Sequence, residues 1–221
     1  MEYDKIKKLE YLEIPEGTVT IKERAFYRAE CLKSVSIPSS VRSIGDEAFS
    51  GCTLLRSVNI SEGLESIGRQ AFCECIYLKD VKIPSSVREI DVCAFSTCSR
   101  LAHIDIPEGV EVISSGAFWQ CTGLKSINLP SSLKSIDEYA FGKCGLVDIE
   151  IPEGVVHIGK SAFSGCTHLK HVKIPKSVKS IDDNAFGSCY ALESVEMYET
   201  GMKISPEVFL YCDRITFTKL K

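Results

Sequence analysis

The chain has 221 residues and a formal net charge of −4 at pH 7, so it lacks the basic footprint that a phosphate backbone requires, and nucleic acid is excluded as a partner. Every apolar cluster is broken within about ten residues by charge, Pro or Gly, which argues against membrane insertion. Met1 to Glu13 alternates charged and apolar residues and does not resemble a secretory signal, so the chain as it stands reads as cytoplasmic, or as secreted or cell-surface if a leader was removed.

In chain order, Met1 to Lys8 are the residues left over as an N-terminal cover, because Leu9, Leu12, Ile14 and Pro15 already fit the strand half of a repeat. An Ala-Phe pair then returns at 25–26, 48–49, 71–72, 94–95, 117–118, 140–141, 162–163 and 185–186, and drifts to Val208-Phe209. The step is 23 residues, with one step of 22. Such a period predicts a repeat solenoid in which each rung contacts only its neighbours, here a single domain over residues 1–221 with about nine rungs.

The second repeat shows the local pattern. Ala48, Phe49, Cys52 and Leu55 stand at i, i+1, i+4 and i+7, which predicts a helical turn facing the core. Val58 and Ile60 alternate with Asn59, which is strand periodicity, and Val41 and Ile44 return inward three residues apart. The bends between them read Pro-Glu-Gly at 15–17, 107–109 and 152–154 and Pro-Ser-Ser at 38–40, 84–86 and 130–132. Down the chain Glu-Gly at 16, 62, 108 and 153 alternates with Ser-Ser at 39, 85 and 131 and Lys-Ser at 176, as if a double-length unit had been duplicated. The missing residue at Lys143-Cys144-Gly145-Leu146 predicts a local tightening without a boundary. Ile215 to Lys221 reads as a degenerate strand with no polar cap, which predicts a longer array or end-to-end self-association through the C-terminal turn.

Eight of the eleven cysteines, Cys52, Cys75, Cys98, Cys121, Cys144, Cys166, Cys189 and Cys212, stand three residues after the repeating Phe. Parallel side chains stacked at sheet spacing are poorly placed for disulfides, so the column is expected to pack as small apolar groups in a reducing compartment.

The cycle Leu32-x-x-Val35-x-Ile37-Pro38-Ser-Ser-Val41-x-x-Ile44-Gly45-x-x-Ala48-Phe49-x-x-Cys52 resembles the BspA-like leucine-rich repeat over roughly residues 9 to 215. The resemblance implies a right-handed superhelix with a parallel β-sheet on the concave side, short helical turns and loops on the convex side, and binding of proteins or other ligands. Surface members of that family carry signal peptides and anchors, and neither is read in this sequence. The first and last repeats depart from the pattern, with Ala29 for the ladder Cys and Thr218 for the strand Val.

Function in such an architecture belongs to the outward columns, since packing consumes the inward ones. One strand column reads Ser34, Ser57, Asp80, His103, Ser126, Asp148, His171, Ser194, and the other reads Ser36, Asn59, Lys82, Asp105, Asn128, Glu150, Lys173, Glu196. The candidate concave binding residues are those from Ser57 and Asn59 through His171 and Lys173. Asp80, His103 and Ser126 are expected in line, a hydrolase-like order. Catalysis nevertheless needs a nucleophile on a strained turn and free oxyanion donors, so no catalytic residue is assigned.

Cys166, His168 and His171 have closely spaced metal-ligand types, but the repeat sends them to three different faces, so neither metal nor cofactor is assigned. Tyr27 and Trp119, which follow the core Phe, and Tyr77 and Tyr190, beyond the ladder Cys, are candidates for an apolar edge site. Cys73 and Cys93 read as outward, and Lys33, Arg56, Lys79, Lys125 and Lys170 form a basic stripe beside the strands. The reading is a non-catalytic scaffold for a protein partner on the concave sheet and one lateral edge. The alternative is a carbohydrate or small-polar-ligand site on the same sheet, as part of a larger cell-surface adhesin.

Overall fold

The computed structural model describes residues 8–198 and 204–220, so residues 1–7 of the expected N-terminal cover lie outside the described part. Each period forms one rung of a solenoid: residues 9–31 make rung 1, and rungs 2 to 9 begin at Leu32, Leu55, Leu78, Leu101, Leu124, Leu146, Leu169 and Leu192.

The concave sheet is built from Tyr11–Glu13, Ser34–Ile37, Ser57–Ile60, Asp80–Val81, His103–Asp105, Ser126–Asn128, Asp148–Glu150, His171–Ile174, Ser194–Tyr198 and Thr216–Leu220. Pairing is parallel and like lies on like, as Val35 on Val58 and Ser36 on Asn59. Alternation along each strand sends Val or Ile into the core and polar residues outward. In the last strand the inward register falls on Phe217, which opposes Val195, and not on Thr218, which opposes Glu196.

A second parallel sheet, not foreseen in the sequence, uses two residues per rung, from Thr20–Ile21 to Ser180–Ile181. Two residues are too few to display a period of two, which is why only the inward Ile of each was legible.

Neither sheet is continuous. The concave ladder is interrupted between Asp80–Val81 and His103–Asp105 and again between Ser126–Asn128 and Asp148–Glu150, and the second sheet is interrupted between Glu89–Ile90 and Val112–Ile113. The missing residue in rung 6 sits at one of these breaks, while the second sheet runs on past it.

What continues at every boundary is a third ladder on the convex side. Gln70, Phe72 and Glu74 donate their N–H groups to the carbonyls of Val92, Ala94 and Ser96 in the next rung at 2.8–2.9 Å, while the intervening Ala71, Cys73 and Cys75 donate to Gly68, Gln70 and Phe72 of their own rung. The same scheme repeats from rung 1 to rung 9.

It requires two left-handed residues per rung, such as Gln70 at φ 54° and Glu74 at φ 60°. With alternate N–H groups turned toward the neighbour, the i→i−4 bonds of an α-helix cannot form. The expected helical turns are therefore successive tight turns, and the one helical element among the described residues is the 3₁₀ segment Pro206–Phe209.

Between the ladder and the concave sheet the phenylalanines stack. Rings from Phe26 to Phe209 lie 5.0–5.6 Å apart with interplanar angles of 1–20°, and those from Phe49 to Phe186 are fully buried. The cysteine column does more than fill space. Each ladder thiol from Cys52 to Cys212 donates to the carbonyl of the preceding rung's Phe at 3.0–3.3 Å. That carbonyl already accepts an N–H of its own rung, as Phe49 accepts from Cys52, so the thiol uses its second lone pair. All cysteines of the described chain are free, and burial pushes the Cys121 thiol up to about 12.

The alternating bends also have a physical cause. In the Glu-Gly rungs Gly17, Gly63, Gly109 and Gly154 take positive φ, and their N–H groups donate to Ser40, Ser86, Ser132 and Ser177 of the following rung at 2.9–3.1 Å. Ser40, Ser86 and Ser132 in turn donate to the carbonyls of Thr18, Leu64 and Val110. A Gly rung thus needs a Ser rung above it, and the period of the clamp is two rungs.

Thr97 is the β-branched residue among those held at positive φ, at 61°, a position filled by Gly51 and Gly165 in rungs 2 and 7. Left-handed backbone costs an L-residue roughly 1–2 kcal/mol, part of which glycine's greater freedom in the unfolded chain offsets. Thr97→Gly is expected to raise unfolding stability by about 0.5–1 kcal/mol in urea titration; destabilisation would show that the left-handed position carries no strain.

Candidate functional site

The outward columns of the concave sheet are where the sequence placed them within each paired block. Ser57 opposes Asp80, Ser126 opposes His103, Asn128 opposes Asp105, Asp148 opposes His171 and Glu150 opposes Lys173. Strand geometry positions them: each is flanked by inward Val or Ile, so the side chain stands off the sheet. Ser57, Asn59, Asp80, Lys82, His103, Asp105, Ser126, Asn128, Asp148, Glu150, His171 and Lys173 are all exposed.

The most organised part is in rungs 5 and 6. The His103 ring places Nδ1 2.8 Å from Ser126 Oγ and Nε2 3.0 Å from Asp105 Oδ1, and Asn128 Nδ2 donates to the same carboxylate oxygen at 2.5 Å. The acid that orients His103 is thus Asp105, on its own strand. Asp80, expected in line, lies across the interruption between rungs 4 and 5. The hydrogen bonds from Asn128 and then His103 hold the Asp105 carboxyl below its ordinary value of 3.8.

Rung 8 repeats part of this, with His171 Nδ1 2.8 Å from Ser194 Oγ. A third pair of the same kind, His157 with Ser180 at 2.8 Å, lies on the second sheet with Asp182 at 3.6 Å, and sequence reasoning missed it because that sheet was not foreseen. The signal was available, since His157 and Ser180 are 23 residues apart.

The edge aromatics do not form one patch. Tyr27 lies between the Arg24 and Arg28 guanidiniums of its own rung, at 4.9 and 5.4 Å from the ring centroid. Tyr77 lies between Arg56 and Arg100, at 5.9 and 4.1 Å, beside the concave strands. Trp119 lies on the convex ladder beneath Lys143 of the next rung, at 5.6 Å. Tyr190 is 60 % exposed. The cations that flank three of these rings cover faces that an apolar patch would present.

Cys166 is buried and donates to Phe141, whereas His168 and His171 are exposed on the lateral edge and the concave sheet. Among the described residues no group of three or more His, Cys, Asp or Glu is arranged to hold a metal ion. Cys73 is buried rather than outward, and burial pushes its thiol up to about 11; Cys93 is half-buried.

A carboxyl whose folded pKa is depressed stabilises the fold above its unfolded value and loses that contribution as pH falls through the folded value. Asn128→Ala is expected to raise the Asp105 pKa toward 3.8 in a carboxyl NMR titration. An unchanged titration would show that Asn128 does not hold the carboxylate.

The family profile described as the BspA type leucine rich repeat region matches residues 2–124 and 90–216 in six copies. A leucine rich cell surface protein from Faecalibacterium prausnitzii A2-165 is 32 % identical over 96 % of this chain and 70 % of its own, with a TM-score of 0.76. The leucine rich repeat protein of T. pallidum is 31 % identical over 84 % of this chain and 78 % of its own, with a TM-score of 0.65. The pneumococcal vaccine antigen PcpA shares the fold, at 19 % identity over 96 % of this chain and 72 % of its own, with a TM-score of 0.54. No curated protein matches. The 23-residue rungs, the parallel sheet with its polar columns and these matches agree: the chain belongs to the BspA-type leucine-rich repeat family.

Proposed function

We propose that the chain is a non-catalytic recognition scaffold that binds a protein partner through the concave sheet and the lateral edge beside it. The observation that carries this is the hydrogen-bonded cluster of His103, Asp105, Ser126 and Asn128, exposed and held in position on a regular strand pair. Side chains already ordered in the free protein lose less freedom on binding. Tyr77, Arg56 and Arg100 stand together on the adjoining edge and add residue types enriched in binding hot spots. Ser126 lies on a paired strand, with no strained turn to present it as a nucleophile, which supports the non-catalytic reading.

A second reading, a carbohydrate or small polar ligand on the same sheet, draws on a cleft of about 240 Å³ lined by Asn128, Glu150, Pro152 and Lys173, where the concave ladder is interrupted. The proposal places the protein at a cell surface, following the F. prausnitzii relative. No described helix is long and apolar enough to cross a membrane. The free ladder thiols from Cys52 to Cys189 fit that setting too, because burial keeps them protonated and out of reach. End-to-end pairing through Thr216–Leu220 is a further part of the proposal, supported by a strand with one neighbour among the described residues and a half-exposed Phe217.

The test compares wild type with the triple variant His103→Ala, Asp105→Ala, Asn128→Ala in capture from the native organism, with folding checked by circular dichroism. A protein held by wild type should bind on the order of tenfold more weakly to the variant and resist free saccharides. Release by a saccharide would favour the second reading, and undiminished capture by the variant would contradict the concave site.

A further inference from the structure

Departures from the repeat in three successive rungs meet at one place on the convex face. The position two residues before each Ala-Phe pair carries Glu23, Asp46, Arg69, Glu138, Lys160 or Asp183, but Val92 in rung 4 and Ser115 in rung 5 are uncharged. The left-handed position after it carries Arg24, Glu47, Gln70, Ser161 or Asn184, interrupted by Cys93, Gly116 and Tyr139 in three consecutive rungs. Trp119 stands where rungs 2, 4 and 7 have Ser50, Ser96 and Ser164. The convex ladder stacks these residues, through Cys93 N–H to Ser115, Gly116 N–H to Glu138 and Thr97 N–H to Trp119. The first two of these columns are charged or polar in every other Ala-Phe rung, and the convergence of the exceptions is what a selected site would leave.

The result is a mainly apolar groove of about 450 Å³, within the size range of small-molecule sites. Its floor is Val92, Cys93 and Gly116, with Trp119 and Tyr139 as walls. Gly116 makes the space: a Cβ added there would lie 2.9 Å from Cys93 Sγ and 3.8 Å from Trp119 Cβ. Two opposite charges complete the lining. Glu138 precedes the core Phe141 by three residues and Lys143 follows it by two. The Glu138 carboxylate makes no ion pair among the described residues, and the Lys143 ammonium stands over the Trp119 ring.

From this charge pattern and apolar floor we infer that the groove binds a small aromatic zwitterion, with its ring over Gly116 between Trp119 and Tyr139, its anionic group at Lys143 and its cationic group at Glu138. The site is on the opposite face from the concave sheet, and it stands or falls separately from the proposed partner surface.

Trp119 is the only tryptophan, so its indole N–H is a single resolved reporter in an NMR titration of the ¹⁵N-labelled full chain. The probes are L-tryptophan, which carries both charges, indole-3-acetate, which carries the anion, and tryptamine, which carries the cation. A saturable shift is expected with L-tryptophan, and about threefold weaker binding with each singly charged probe, the size of an exposed charge contact.

Gly116→Gln, which installs the residue rung 3 carries at Gln70, should fill the floor and abolish saturation while leaving the His103 signals in place. Lys143→Gln, the counterpart of Gln120, should erase the advantage of L-tryptophan over tryptamine and provides the test if the glycine variant misfolds. Absence of a saturable shift with all three probes, equal affinity for them, or binding that survives Gly116→Gln would overturn the inference.

Discussion

The structure depends on the way the convex backbone divides its N–H groups. Those flanking and including the repeating Phe alternate between the neighbouring rung and their own, so one short segment is both a tight turn and a rung of a ladder. That division fixes the left-handed residues, and with them the direction of every convex side chain. It also sets the rise from rung to rung, which the Phe rings match with centroids 5.0–5.6 Å apart. At the boundary between rungs 4 and 5, where both strand sheets are interrupted, this ladder and the core packed against it are what hold the solenoid continuous.

Around that constraint the remaining interactions are local and repetitive. The thiol of each ladder Cys meets the Phe carbonyl of the rung before it, and the Ser of one bend meets the Gly N–H of the bend before it. Such nearest-neighbour bonds make stability a sum over boundaries. They also leave the outward concave columns free of structural duty, so that residues there change from rung to rung while Phe does not and Cys gives way only to Ala29 in rung 1. His103, Asp105, Ser126 and Asn128 form one such variable cluster, and the groove floored by Gly116 is its counterpart on the other face.

Much of this was legible in the letters. The period places Phe on Phe and Val on Val without further information, and the family follows from it. The outward strand columns were legible for the same reason, because alternation sends Asn59 one way and Val58 the other. What escaped detection depends on hydrogen bonds that no side-chain pattern records. The second sheet is two residues wide, and the left-handed positions accept residues as different as Arg24, Gln70 and Tyr139, so composition there carries no signature.

The column order puts Asp80 in line with His103, but the ladder is interrupted between them and the carboxylate that meets the ring is Asp105, two residues on in the same strand. The edge aromatics were read as one surface, although their columns lie on different faces and cations cover three of the rings. Val92, Gly116 and Tyr139 depart from the repeat in three different rungs, and only the stacking of the rungs brings them to one place.

Native-state hydrogen exchange tests the central claim most directly. If the convex ladder is what runs unbroken through the molecule, the amides of Phe72, Phe95, Phe118 and Phe141 should be among the slowest to exchange, with Phe95 as protected as its neighbours although it faces the boundary where both sheets are interrupted. Fast exchange at these phenylalanines, with protection confined to the concave strands, would contradict the account.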